Sequence, residues 1–157
     1  MRFPLLRFAL LALFVGTTPL LHAQRERLTP DEIEQVDKTW PGTKKTSTGM
    51  RYLILQPGDG RSPKVGERVA VIYTGTLLNG GKKFDENMDP HRPMTFRIGR
   101  SEVIDGWDQI LPLMKLNERR LVIVPASLAY GSRGRAPAIP RDATLVFEMQ
   151  LIAINPE

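Results

Sequence analysis

Between Met50 and Ile152 the chain is cut into short runs in which apolar and polar residues alternate, most of them closed by a turn cluster. A period of two is the spacing of side chains on a strand with one buried face. Arg51 to Leu55 is one such run, ended by Pro57-Gly58-Asp59-Gly60. Glu67 to Thr74 is the next, with Val69, Val71 and Tyr73 on one face and Ala70 and Ile72 on the other. Asn79-Gly80 marks a hairpin, because both residues tolerate positive φ. Met94, Phe96 and Ile98 alternate with Thr95 and Arg97. Arg119 to Val124 and Leu145 to Ile152 complete the set, and in the last run Leu145, Phe147, Met149 and Leu151 share a face. Trp107, Ile110, Leu111 and Met114 instead follow helical spacing. They place one short helix near 105–112, with Pro112 in its last turn or at its end. About five strands joined by hairpins and one internal helix predict an α+β architecture, an antiparallel sheet covering a single helix.

A chain of 157 residues favours one such domain, and a hydrophobic fraction of 41% supplies a core and argues against wholesale disorder. Residues 24–48 are polar and read as a leader. Within it Thr29-Pro30-Asp31-Glu32 starts a short helix: Thr29 caps, Pro30 suits the first position and Glu32 closes a capping box. The helix is expected to run to about Asp37, with Trp40-Pro41-Gly42 as its stop. Further upstream, Met1 to Arg7 is short and basic, Phe8 to Val15 is unbroken apolar sequence, and polar sequence resumes at Gln24. This is the order of a secretory signal. The apolar run is shorter than the roughly 20 residues a spanning helix needs. Residues 1–23 are therefore expected to be a signal peptide cleaved after Ala23, although Leu21 is larger than that site prefers. The competing reading is an uncleaved anchor, which would tether the domain to a membrane. The expected organisation is a signal at 1–23, a leader at 24–48 and the folded domain at 49–157, exported, with a bacterial periplasm as the expected location.

Several chemistries are excluded. The chain has no cysteine, so disulfides, thiolate metal sites and cysteine nucleophiles fall away. The formal charge of +5 drops to +3 without Arg2 and Arg7, since 20 basic residues then face 17 acidic ones. The basic residues are scattered and not interleaved with aromatics, so no nucleic-acid partner is expected. With His22 in the signal, His91 stands alone in a polar loop, which leaves no zinc site and no nucleophile elbow. Gly131-Ser132-Arg133-Gly134 lacks the lysine of a phosphate loop. Neither a metal nor a cofactor is expected. An enzyme built from this chain works without a nucleophile.

A set of fragments then carries a resemblance. Val71-Ile72-Tyr73-Thr74-Gly75-Thr76-Leu77 is followed by Asn79-Gly80-Gly81-Lys82-Lys83-Phe84-Asp85, then Phe96-Arg97-Ile98-Gly99 and Glu102-Val103-Ile104-Asp105-Gly106-Trp107. Ala129-Tyr130-Gly131, Ile139-Pro140 and Ala143-Thr144-Leu145-Val146-Phe147 come after. In this order and spacing, over roughly residues 49–155, the chain resembles the FKBP-type peptidyl-prolyl cis-trans isomerases. The resemblance implies a curved antiparallel sheet wrapped around one short helix, with a pocket between them. It implies catalytic roles for Tyr73, Asp85, Ile104 and Tyr130. Phe84, Met94, Phe96, Val103, Trp107, Ile139 and Phe147 would bind substrate, Ile139 from the loop that overhangs the rim. The implied partners are proline-containing polypeptides and macrolides such as rapamycin.

The implied function is to assist folding of exported proteins by rotating X-Pro bonds. The alternative is a proline-peptide-binding module or weak chaperone with little turnover. A leader of this length is too short for a helical dimerisation domain, so a monomer is expected. The sequence departs from the family pattern at Met94, where an aromatic is frequent, and at Asn117, where a turn glycine is usual. It departs also at Arg141, where a second proline is common, and in a Gly80-Gly81 hairpin one residue longer than the commonest form.

Overall fold

The computed structural model describes residues 28–156. The expected signal at 1–23 and its cleavage after Ala23 lie outside these residues.

The described chain begins with helix α1, Pro30–Thr39. Thr29 caps it as expected: its hydroxyl accepts from the Glu32 N–H, and the Glu32 carboxylate accepts from the Thr29 N–H at 2.8 Å. The helix runs two residues beyond Asp37, and the Trp40 N–H still donates to the Val36 carbonyl before Gly42 turns the chain at φ 85°. Seven strands follow among the described residues: β1 (Lys44–Lys45), β2 (Arg51–Gln56), β3 (Arg68–Leu77), β4 (Lys83–Asn87), β5 (Met94–Arg97), β6 (Arg119–Val124) and β7 (Leu145–Ile154). Between β5 and β6 lies helix α2, Asp105–Ile110, followed by a 3-10 turn over Leu111–Leu113 that contains Pro112.

The strand count exceeds the expected five by β1 and β4. Neither has an alternating apolar face: β1 is two exposed lysines, and β4 carries one apolar residue, Phe84. Backbone pairing with a neighbour makes them strands.

All pairings are antiparallel, in the order β1-β2-β6-β7-β3-β4. One edge of β3 is shared, with β5 opposite Arg68 to Val71 and β4 opposite Tyr73 to Thr76. In the hairpin from β3 to β4 the Leu77 N–H donates to the Lys82 carbonyl at 2.9 Å. The positive φ angles fall at Gly80 and Gly81, one residue later than the expected Asn79-Gly80. The longer loop moves the left-handed turn onto the two residues that adopt it without a Cβ clash.

The sheet buries both faces. On one, Val69, Val71, Tyr73, Val122, Val124, Leu145, Phe147, Met149 and Leu151 close around Trp107, Ile110, Leu111 and Met114. Gly106 allows this approach, since a Cβ there would stand 2.6 Å from Val124 Cγ1. On the other face Leu121, Ile123 and Val146 pack with Val36, Leu28 and Leu78, and with half-buried Ile33 and Trp40. The described part of the segment expected as a leader, residues 28–48, thus covers the second face and supplies an edge strand. The strand period of two explains the arrangement: Leu121 and Ile123 point to α1 while Val122 and Val124 point to α2.

Candidate active site

Helix α2 and the concave side of the sheet leave a cavity of about 170 Å³. Tyr73, Phe84, Asp85, Met94, Val103, Ile104, Trp107, Tyr130 and Phe147, all singled out from the sequence, line it. Phe96 and Ile139 do not. Phe96 is buried behind Trp107, with ring centroids 5.7 Å apart, and Ile139 is buried in the same core. Two charged residues given no site role from the sequence, Glu102 and Arg135, complete the lining.

The aromatic walls are built edge to face. Trp107 meets Tyr73 at 4.8 Å and 85°, and Phe147 at 5.2 Å and 80°, while Phe84 meets Phe147 at 5.7 Å and 90°. Such T-shaped pairs place positive ring edges on negative ring faces and hold each ring in one orientation. Trp107 is 3% exposed, and its Nε1 has no hydrogen-bond partner among the described residues.

A bulge brings Phe84 and Asp85 to the cavity together. Gly75 pairs with Asp85 and Thr76 with Lys83, so the ladder skips Phe84. Adjacent residues of a regular strand would point to opposite faces; the bulge lifts that rule locally. The Tyr73 hydroxyl then donates to Asp85 Oδ2 at 2.8 Å. Burial raises the Tyr73 phenol above its ordinary value, and the hydrogen bond to Asp85 adds to the rise. The hydroxyl is therefore a donor at neutral pH.

Two further lining residues, Ile104 and Tyr130, carry hydrogen-bond donors. Ile104 is the extended residue before α2, at φ −62° and ψ 150°. Its carbonyl accepts from the Trp107 N–H, and its own N–H has no acceptor among the described residues. Asp108 steadies the preceding loop by accepting from the Gly99 N–H at 2.8 Å. Tyr130 sits at the head of the long loop between β6 and β7, which folds back through the Arg135–Ile139 bridge and the bond from the Gly134 N–H to the Tyr130 carbonyl at 3.0 Å. Among the described residues the Tyr130 hydroxyl has one hydrogen-bond partner, Arg135 Nη1, which donates to it at 3.4 Å. Among the described residues no cluster of three or more His, Cys, Asp or Glu side chains could hold a metal ion.

Known proteins share this layout. The sequence profile described as FKBP-type peptidyl-prolyl cis-trans isomerase matches residues 59–152. FK506-binding protein 4 of Dictyostelium discoideum is 46% identical over 106 residues, which are 68% of this chain and 28% of that protein. FK506-binding protein 1 of Yarrowia lipolytica is 45% identical over 108 residues, 68% of this chain and 99% of that one. The crystal structure of a peptidyl-prolyl cis-trans isomerase from Pseudomonas syringae superposes with a TM-score of 0.70 at 32% identity, covering 90% of this chain and all of that one. With the profile spanning more than half of its length, the chain belongs to the FKBP-type peptidyl-prolyl cis-trans isomerase family.

Proposed function

We propose that the cavity between α2 and the sheet is where this family member rotates X-Pro bonds, and that its substrates are proline-containing segments of exported polypeptides. The observation that carries the reading is an aromatic chamber lined by two residues, Ile104 and Tyr130, whose N–H and hydroxyl donate to no acceptor among the described residues.

Rotation about an X-Pro amide meets a barrier of ~18–20 kcal/mol, because resonance gives the C–N bond partial double-bond character. Water stabilises the planar, charge-separated amide. A chamber of aromatic rings strips that water away and so favours the twisted form. In this assignment Trp107 is the floor under the proline ring, with Tyr73, Phe84 and Phe147 as walls and Met94 as an adaptable one. Val103 lines the entrance. The Ile104 N–H and the Tyr130 hydroxyl donate to substrate carbonyls and hold the twisted geometry better than the planar one, which is the differential binding catalysis requires. Asp85 orients the Tyr73 hydroxyl. Phe96 and Ile139 act one layer back, by supporting Trp107 and the rim loop. No proton is transferred, so neither a nucleophile nor a metal is needed.

Export rests on the order of residues 1–23, basic then apolar then polar. Folding help after export fits the chemistry, since uncatalysed X-Pro isomerisation takes tens to hundreds of seconds and limits folding. Macrolides such as rapamycin would compete for the same chamber, and the domain would act as a monomer.

The test is cis-to-trans relaxation of a short X-Pro peptide by the purified protein, with and without rapamycin. Fast relaxation that rapamycin blocks, and that falls about fivefold in Tyr130→Phe through loss of one donor, supports the assignment. Relaxation at the uncatalysed rate by folded protein overturns it and leaves a binding module. Cell fractionation with and without residues 1–23 tests export: the soluble exported fraction should hold the full chain's product and not the truncated one.

A further inference from the structure

We propose that Arg135 is a specificity-determining residue of the cavity, favouring peptides that carry a carboxylate side chain next to the proline. The inference rests on the assignment of the cavity to X-Pro rotation and names the substrates it prefers.

Three charged side chains line the cavity: Asp85, Glu102 and Arg135. The two acids are already engaged. Asp85 accepts from the Tyr73 hydroxyl at 2.8 Å, and Glu102 Oε2 accepts from the Arg97 N–H at 3.2 Å. Arg135 is not. Its guanidinium lies 5.9 Å from the Tyr130 ring centroid with Nη1 3.4 Å from the hydroxyl, and it makes no ion pair among the described residues. Most of its donor fork is therefore available, in the planar geometry that takes a carboxylate through two parallel hydrogen bonds.

Position adds to this. The Tyr130 hydroxyl donates to a backbone carbonyl beside the proline, so a guanidinium 3.4 Å from that hydroxyl stands next to the adjoining side chain. The loop from Tyr130 to Ala143 carries Arg133, Arg135 and Arg141 against one acid, Asp142, and gives that flank a positive field. Arg135 is exposed, so water and salt screen its pull and the preference is modest.

The experiment measures kcat/KM on blocked tetrapeptides, Ala-Xaa-Pro-Phe and Ala-Leu-Pro-Xaa, with Xaa as Glu, Gln or Lys. The quantity read is the ratio of the Glu to the Lys peptide, which a general loss of activity leaves untouched. In one of the two series the ratio should be about fivefold for the wild type at low salt, and should fall toward one at about 0.5 M salt. Arg135→Gln should bring it close to one, Arg135→Lys should restore part of it, and Arg133→Gln, the same charge change off the cavity, should leave it in place. A wild-type ratio of one in both series, or a ratio that Arg135→Gln does not change, overturns the inference alone. If no peptide relaxes faster than without protein, the isomerase assignment falls and this inference with it.

Discussion

Gly75 shows how one missing Cβ shapes the chamber. A Cβ at this position would stand 2.7 and 2.9 Å from the Phe84 ring and 3.0 Å from that of Phe147. The φ of Gly75 is not in the left-handed region, so alanine would bring crowding without backbone strain. Gly75→Ala should therefore push the two rings into the cavity. The expected stability cost is about 1–3 kcal/mol from overpacking, reduced by ~0.4–1 kcal/mol through a stiffer unfolded chain. The expected loss of kcat/KM is larger, roughly tenfold or more, because displaced walls misplace the substrate. Urea unfolding and peptide relaxation on the same preparation separate the two; an unaltered kcat/KM would mean that these rings do not shape the chamber. At this scale much was legible. The aromatic residues of the lining are spaced so that the resemblance picks them out. Phe96, which the resemblance assigns to the substrate wall, packs against Trp107 and is not part of the lining, because a motif names the residues near a site but not which of them stands in front. Glu102 and Arg135 carry no periodic signal, and only the folded course of their loops brings them to the cavity.

The elements divide by whether a local pattern exists to be read. Strands β2, β3, β5, β6 and β7 have apolar alternation, and α1 has a capping box, so each is visible in the sequence within a few residues. Strands β1 and β4 sit on sheet edges, where exposed charged residues are the rule and give no alternation. Helix α1 was legible as a helix but not as a layer. Its apolar residues Ile33 and Val36 lie one turn apart, and their partners Leu121, Ile123 and Val146 come from strands at least 85 residues away. This places α1 on the side of the sheet opposite the cavity, and a prediction follows. Thr29→Ala removes the side-chain half of the capping box and should lower stability by about 1 kcal/mol. Catalysis of peptide relaxation should stay within twofold of the wild type, because the cluster in which α1 packs holds none of the cavity-lining residues. A large fall in kcat/KM with little change in unfolding would contradict the separation of the two faces.

Across the whole molecule, one buried ion pair ties the floor of the cavity to the sheet. Glu118 and Arg120 are each 3% exposed. Arg120 Nε donates to Glu118 Oε1 at 2.5 Å, and Nη2 donates to the Leu113 carbonyl, in the 3-10 turn that ends the α2 segment, at 2.9 Å. The guanidinium lies 4.6 Å from the Tyr52 ring centroid, while Nη1 is buried without a partner among the described residues. Glu118 also accepts from the Lys115 N–H at 3.1 Å, in the turn where Asn117 takes φ 67° in place of the usual glycine. One pair thus joins the 3-10 turn after the cavity helix, the turn that follows it, β6 and β2. Burying two charges is costly, so the pair itself adds little net stability, but leaving one of them alone costs more. Glu118→Leu strands the guanidinium and should destabilise by about 3–5 kcal/mol. Adding Arg120→Met to it should recover a large part of that loss, since an apolar pair of similar volume needs no counter-charge. Urea unfolding of the wild type, both single variants and the double variant closes the cycle. A coupling near zero would mean that the two charges act independently and that α2 is held by apolar packing alone. A coupling of several kcal/mol, together with lower kcat/KM in Glu118→Leu than in the double variant, would place the stability of the chamber floor on this pair.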